Sequence, residues 1–122
     1  MAKLLIIDDE QDTAVYLKDF FSQRGCQVTT SFSGEEGLVN FNKYKPDIVL
    51  LDIKLPGING LEVLKCIRDK DKATSVVMFT ALGDDSTRKE AEGLGANGFI
   101  KKPFNMNELE GVVSRMLSKL VS

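Results

Sequence analysis

Residues 48–54 read Ile-Val-Leu-Leu-Asp-Ile-Lys, so four apolar residues lead directly into an acid, Asp52. A short continuous apolar run is typical of a strand that is buried on both faces of a sheet. Leu4–Ile7 and Val76–Phe79 are apolar runs of the same kind. The sequence therefore predicts three strands in the centre of a sheet.

Two further segments predict strands at the edges of that sheet. Gln27–Ser31 is more polar than the central runs, and Gly98–Ile100 is short. Between the strands lie amphipathic segments whose apolar side chains recur at helical spacing. The five predicted helices are Gln11–Arg24, a helix opened by Ser33 with Glu36, Gly60–Lys70, Asp84–Leu94, and a helix opened by Asn105 with Glu108.

The alternation of strands and helices predicts a single α/β domain over residues 1–122. Elements of this length form a parallel sheet with helices on both faces and right-handed crossovers. Strand order 2-1-3-4-5 places the apolar strands in the middle, which is the doubly wound, flavodoxin-like (βα)5 arrangement. Ligands of such sheets bind at the carboxyl ends of strands 1 and 3.

The composition excludes several classes of protein. Sixteen basic residues against 18 acidic ones give a net charge of −2, without the basic excess of a nucleic-acid-binding surface. The chain has no histidine, and its two cysteines form no metal or disulfide pattern. It shows no signal peptide and no apolar stretch of membrane length. We therefore expect a cytoplasmic protein that contacts neither nucleic acid nor membrane directly.

Polar residues lie at the carboxyl ends of four of the predicted strands. Asp8 and Asp9 come after the first strand, Asp52 after the third, Thr80 at the end of the fourth, and Lys102 after the fifth. Each of these residues alone has an ordinary explanation, such as a helix N-terminus or a solvated surface. The predicted fold, however, brings all of them to the same rim of the sheet, and their combination predicts a site.

Such a site needs a cation. At an effective dielectric constant near 20, two carboxylates about 4 Å apart repel each other by roughly 4 kcal/mol. Oxygen ligands without histidine or thiol favour Mg²⁺, which typically works together with a phosphate group. Carboxylate, metal, ammonium and hydroxyl are the groups that phosphoryl transfer to a carboxylate requires.

Four motifs make the whole chain resemble the receiver domains of two-component response regulators. They are Ile7-Asp8-Asp9-Glu10, Leu51-Asp52-Ile53-Lys54-Leu55-Pro56-Gly57-Ile58-Asn59-Gly60, Phe79-Thr80-Ala81 and Lys101-Lys102-Pro103-Phe104. The resemblance implies a phosphoprotein that is phosphorylated by a histidine kinase or a phosphotransfer protein. It also implies that the chain promotes its own phosphorylation without being an enzyme that turns over an external substrate.

The resemblance also implies a role for each residue of the site. Asp52 would be the phosphoacceptor. Asp9 would bind Mg²⁺ directly, Asp8 would bind it mainly through water, and the backbone carbonyl of Lys54 would complete the protein ligands. Thr80 and Lys102 would contact the phosphoryl group, with Lys101 pointing elsewhere and the Lys102–Pro103 bond in the cis form.

The same resemblance suggests how a signal is produced. Asp8, Asp9 and Asp52 carry −3, which Mg²⁺ and Lys102 balance, so an added phosphoryl charge would draw Thr80 and Lys102 inward. Phe99 would then turn toward the core and change the face formed by the fourth helix, fifth strand and fifth helix. That face would contact an output domain or partner protein. Lys54 and Leu82 would tune the loss of phosphate, which we expect to be slow.

Two other interpretations have specific weaknesses, and a third stays open. Gly93-Leu94-Gly95-Ala96-Asn97-Gly98 matches a dinucleotide fingerprint, but it follows a helix instead of a strand. A haloacid-dehalogenase-type phosphatase needs a second aspartate two residues after the nucleophile, where this chain has Lys54. A receiver-like adaptor that binds partners without phosphorylation stays open.

Overall fold

The computed structural model describes residues 2–81 and 84–120. Five parallel strands form one sheet in the order β2-β1-β3-β4-β5. This order confirms the flavodoxin-like arrangement that the sequence predicts. The strands are β1 (Lys3–Ile7), β2 (Gln27–Ser31), β3 (Ile48–Leu51), β4 (Ser75–Thr80) and β5 (Gly98–Lys101).

Five helices alternate with the strands. They are α1 (Gln11–Ser22), α2 (Gly34–Tyr44), α3 (Gly60–Lys70), α4 (Asp85–Gly93) and α5 (Met106–Leu120). The predicted first helix is two residues too long, because the chain leaves the helix at Ser22 and turns through Gly25, whose φ is +90°. Left-handed backbone of this kind favours glycine.

One predicted helix start differs in detail. Ser33 caps α2 by accepting a hydrogen bond from Glu36 N, but the Glu36 carboxylate accepts from Phe32 N instead of returning to Ser33. A complete capping box lies at α3, where Asn59 and Glu62 each accept a hydrogen bond from the other's backbone N–H. The β3–α3 loop is therefore held firmly where it enters the helix.

The central strands contribute to two cores because their side chains alternate between the two faces of the sheet. Leu4 and Ile6 of β1 pack against α1 and α5, whereas Leu5 and Ile7 pack on the side of α2 and α3. This double burial explains why the central strands are continuous apolar runs without a polar alternation. Across the ranges described above, no helix has the length and apolar character to span a bilayer.

Candidate functional site

The backbone of two neighbouring strands positions the first two carboxylates. Asp52 N donates to Ile7 O at 3.0 Å, so pairing between β1 and β3 continues into the residue after β3. Asp8 N likewise donates to Ser31 O at 3.0 Å. Both acids therefore sit at the carboxyl rim, at the switch point where ligands of such sheets bind.

Each of these carboxylates uses one oxygen for a local turn. Asp52 Oδ1 accepts from Lys54 N at 3.2 Å, and Asp8 Oδ1 accepts from Glu10 N at 3.0 Å. The other oxygen of each acid is directed to the same cation. These local hydrogen bonds orient both side chains before any ligand binds.

That cation is Lys102. Its Nζ lies 2.8 Å from Asp8 Oδ2, 3.1 Å from Asp52 Oδ2 and 3.2 Å from Glu10 Oε1. Lys102 N donates to Thr80 O at 2.9 Å, and the Lys102–Pro103 bond is cis. The lysine side chain is only 13% exposed, against 0% for Asp8 and 7% for Asp52, so its contacts with these two aspartates are largely shielded from water.

Burial and charge act in opposite directions on these groups. Burial alone would lower the pKa of Lys102, but the hydrogen bond to Asp8 and the charge of Asp52 outweigh it and raise that pKa well above its ordinary value. Burial raises the pKa of Asp8, against the hydrogen bond from Lys102. The lysine therefore stays charged at neutral pH, and its short contact with Asp8 is an ion pair.

The acidic cluster fits a hard divalent cation. Oxygens of Asp8, Glu10 and Asp52 all lie within 4.8 Å of one another. Asp9 is exposed and lines the same cleft, together with Lys54 and Ala81. Carboxylate and carbonyl oxygens are what Mg²⁺ prefers. The residues present therefore suit this ion, and they bring together more negative charge than Lys102 balances.

Sequence reasoning assigned no role to Glu10, the third member of this cluster. It predicted Asp8, Asp9 and Asp52 as the grouped acids, and of these the structure places Asp8 and Asp52 in direct contact with Lys102. The only available signal was the position of Glu10 directly after the two aspartates. Which way a long, flexible side chain turns depends on Lys102, which is 92 residues away.

The other predicted residues lie around this centre. Thr80 is fully buried at the end of β4. Phe99 on β5 is half-buried, and the Arg88 guanidinium lies 5.7 Å from its ring centroid. Lys101 is exposed on the strand that leads to Lys102. Leu82 lies outside the described residues.

Comparison with known proteins agrees with this geometry. A family model for the response regulator receiver domain matches residues 4–114. Sporulation initiation phosphotransferase F of Bacillus subtilis is 35% identical over 115 residues, which cover 94% of this chain and 93% of that protein. Regulatory protein AtoC of Escherichia coli is 34% identical over 94% of this chain but only 25% of its own length.

Solved structures give the same result. A two-component response regulator from Clostridium difficile superposes with a TM-score of 0.95 at 27% identity, with both chains fully covered. The response regulator TrrA from Thermotoga maritima, in complex with Mg²⁺ and a beryllium fluoride, has a TM-score of 0.85 and 34% identity. That match covers 95% of this chain and 99% of TrrA.

Proposed function

This chain belongs to the family of response regulator receiver domains, and we propose that its Asp52 accepts a phosphoryl group from a phosphohistidine. The donor would be a histidine kinase or a phosphotransfer protein. One observation carries the proposal: Lys102 Nζ contacts both Asp8 and Asp52, although these residues follow three different strands. A nucleophilic carboxylate, a fixed ammonium and a cluster of acids suited to a divalent ion lie within one cleft.

The chain's own residues have distinct parts in the transfer. A carboxylate oxygen of Asp52 attacks phosphorus, the bond from phosphorus to the imidazole nitrogen breaks, and the departing imidazole takes up a proton. Lys102 approaches the transferred group as a fixed positive charge. The Thr80 hydroxyl donates to a phosphoryl oxygen. Charge-assisted contacts of this type are the main source of catalysis in phosphoryl transfer.

Asp8, Asp9, Asp52 and the carbonyl of Lys54 would hold Mg²⁺, which supplies positive charge to neutralise the phosphoryl oxygens. The Mg²⁺ in the TrrA complex supports this assignment. The acidic group on the rim supports it independently, because its three carboxylates carry more negative charge than the Lys102 ammonium alone balances.

The signal would arise from movement of Thr80 and Lys102 toward the added charge. Each charge-assisted hydrogen bond contributes about 1.5–3 kcal/mol, and about 5.5 kcal/mol shifts a population from 1:99 to 99:1. Phe99 would then turn inward and reshape the face formed by α4, β5 and α5.

That face would contact an output domain or partner protein, in the cytoplasm and without direct nucleic-acid or membrane contact. The chain would act as one receiver domain over residues 1–122, not as an enzyme with an external substrate.

Intact mass after incubation with acetyl phosphate and Mg²⁺ tests this proposal. We expect the protein to gain the mass of one phosphoryl group, and we expect Asp52→Asn to abolish that gain. Asp69→Asn is the matched control, because Asp69 is an exposed aspartate on α3, away from the cleft. A gain that persists in Asp52→Asn would contradict the assignment, and no gain with any donor would favour the adaptor reading.

A further inference from the structure

Glu10 occupies the N-cap position of α1, where a side chain usually accepts hydrogen bonds from the first helical N–H groups. Its carboxylate instead accepts from Lys102 Nζ at 3.2 Å. Its backbone N–H donates to Asp8 Oδ1 at 3.0 Å. The Glu10 carbonyl accepts the first hydrogen bond of α1, from Ala14 N at 3.0 Å, but the backbone N–H and the side chain of Glu10 are both joined to the acid–lysine centre.

Lys102 has as many carboxylate partners as it has N–H donors. An ammonium group carries three donors, and here Asp8, Asp52 and Glu10 each accept from it. Glu10 differs from the other two partners because its side chain is 63% exposed. It can swing toward solvent without leaving a buried charge behind, whereas Asp8 and Asp52 cannot.

Glu10 also changes the charge of the cleft. Asp8, Asp9 and Asp52 with Lys102 carry −2, which one Mg²⁺ would balance. Adding Glu10 gives −3 for these five groups before the ion binds and −1 afterwards, and Lys54, which lines the same cleft, contributes one further positive charge. An additional anion at this distance attracts the divalent ion more strongly and disfavours a phosphoryl group.

We propose that Glu10 is a positioning residue: it holds the Lys102 ammonium over Asp52 in the unphosphorylated protein, strengthens Mg²⁺ binding, and gives up Lys102 to the phosphoryl group. The inference rests on the proposed function, since it concerns the same cleft. The exposed partner leaves and the two buried ones remain, so the exchange requires no rearrangement of the strands.

The contact itself is tested in metal-free, ¹⁵N-labelled protein. The Lys102 ammonium resonance, assigned with Lys102→Met, reports the partners of that group. We expect Glu10→Gln to shift or broaden it and Asp12→Asn to leave it in place. Asp12 is the matched control, because it is an acid in the first turn of α1 that makes no contact with Lys102 among the described residues. An unchanged resonance in Glu10→Gln would overturn the contact.

Magnesium binding is tested by titrating Mg²⁺ into the same unphosphorylated proteins. We expect the dissociation constant to rise about fivefold in Glu10→Gln, because a largely exposed charge acts through a water-like dielectric. Asp12→Asn should stay within about twofold, since Asp12 is not one of the acids grouped in the metal cleft. Glu10→Asp keeps the charge but shortens the side chain, so it should keep the Mg²⁺ affinity and lose the Lys102 signal. Equal affinities in Glu10→Gln and wild type would overturn this part.

Release of Lys102 is tested with Mg²⁺ and beryllofluoride, an analogue of the phosphoryl group. With both bound, the Lys102 resonance should become the same in wild type and Glu10→Gln. A difference that persists would overturn the exchange. If wild-type protein binds Mg²⁺ but neither beryllofluoride nor a phosphoryl group, the proposed function fails while the metal-free contact stands. If wild type is phosphorylated and Glu10→Gln changes neither the Lys102 resonance nor the Mg²⁺ dissociation constant, only the inference about Glu10 fails.

Discussion

Lys102 Nζ lies 3.1 Å from Asp52 Oδ2, although the two residues are 50 positions apart in the chain. Asp52 follows β3 and Lys102 follows β5, with β4 between those strands in the sheet. The long lysine side chain reaches across the end of β4 to the carboxylate. In doing so it brings a positive charge into contact with three of the four acids of the cleft, and the stability of the metal-free protein depends on that charge.

Loss of this lysine should therefore destabilise the protein when no metal is bound. Lys102→Met leaves the buried carboxylates of Asp8 and Asp52 without their cation, which typically costs about 3 kcal/mol. Urea denaturation with a chelator present measures the loss in free energy of unfolding. Added Mg²⁺ should recover more stability in the variant than in wild type, because it replaces the missing positive charge.

Lys101→Met is the control for that measurement, since Lys101 is the exposed neighbour of Lys102. Its effect should lie within about 0.5 kcal/mol of wild type. Equal losses in the two variants would show that the lysines act through general charge and not through the ion pairs.

Gly60 lies where α3 meets the backbone of Asp52. A Cβ at this position would overlap the carbonyl oxygen of Asp52. We expect Gly60→Ala to lower the free energy of unfolding by about 3 kcal/mol, because the obstacle is backbone that cannot move without displacing Asp52. Thermal or urea denaturation checks this prediction, and phosphorylation of the folded fraction should slow as well.

Gly111→Ala is the matched substitution in α5. A Cβ there would meet no described atom within 4 Å outside its own helix backbone and chain neighbours. Alanine should therefore stabilise the protein by about 0.5–1 kcal/mol through helix propensity and a less flexible unfolded chain. Stability that rises in both variants would contradict the close approach at Gly60.

Asn97 lies directly before β5 and connects the start of that strand to β4 and α3. Its Oδ1 accepts from Val76 N at 2.8 Å and from the Arg68 guanidinium at 2.7 Å. Asn97→Ala leaves both donors without this acceptor, so we expect a loss of about 1–2 kcal/mol in unfolding free energy. Asn97→Asp keeps the acceptor and adds a charge opposite Arg68, so it should retain most of the stability. If Asn97→Ala and Asn97→Asp lose the same unfolding free energy, the hydrogen bonds accepted by Asn97 Oδ1 do not account for the loss.

Asp71 should make stability depend on acidic pH. Its carboxylate accepts from the Thr74 hydroxyl at 2.7 Å and from Ala73 N at 2.7 Å, and these bonds hold its pKa below the ordinary value. A lowered pKa in the folded state gives stability that is present above the unfolded value of about 3.9 and is lost as pH falls through the folded value.

The comparison of wild type with Asp71→Asn measures this contribution. The difference in unfolding free energy should be largest above about pH 5 and should shrink as the pH drops below about 4. Asp69→Asn, which removes an exposed acid nearby on α3, is the control for the loss of one negative charge. If the difference in unfolding free energy between wild type and Asp71→Asn increased as the pH fell, the pKa of Asp71 would not be lowered in the folded state.

The chain's order of apolar runs and amphipathic segments was enough to predict the strand order. Ile48–Leu51 and Gly60–Lys70 have the same bounds in the prediction and the structure, because burial pattern and helical spacing are local properties. Helix ends were less well predicted. At α2, Ser33 caps as expected, but Glu36 turns to Phe32 because the Ser33 N–H was not the only donor in reach.

For the site, the sequence determined which chemical groups arrive at the carboxyl rim, because parallel strands end at the same edge and Asp8, Asp52 and Lys102 each follow one. Only the tertiary structure decided which oxygens meet the ammonium, and it added Glu10. Glu10 stands at the N-cap position of α1, yet its carboxylate accepts from an ammonium 92 residues away. The spacing of apolar residues along the sequence indicates which neighbouring residues are buried. The direction of a flexible charged side chain is determined instead by opposite charges that folding brings near it.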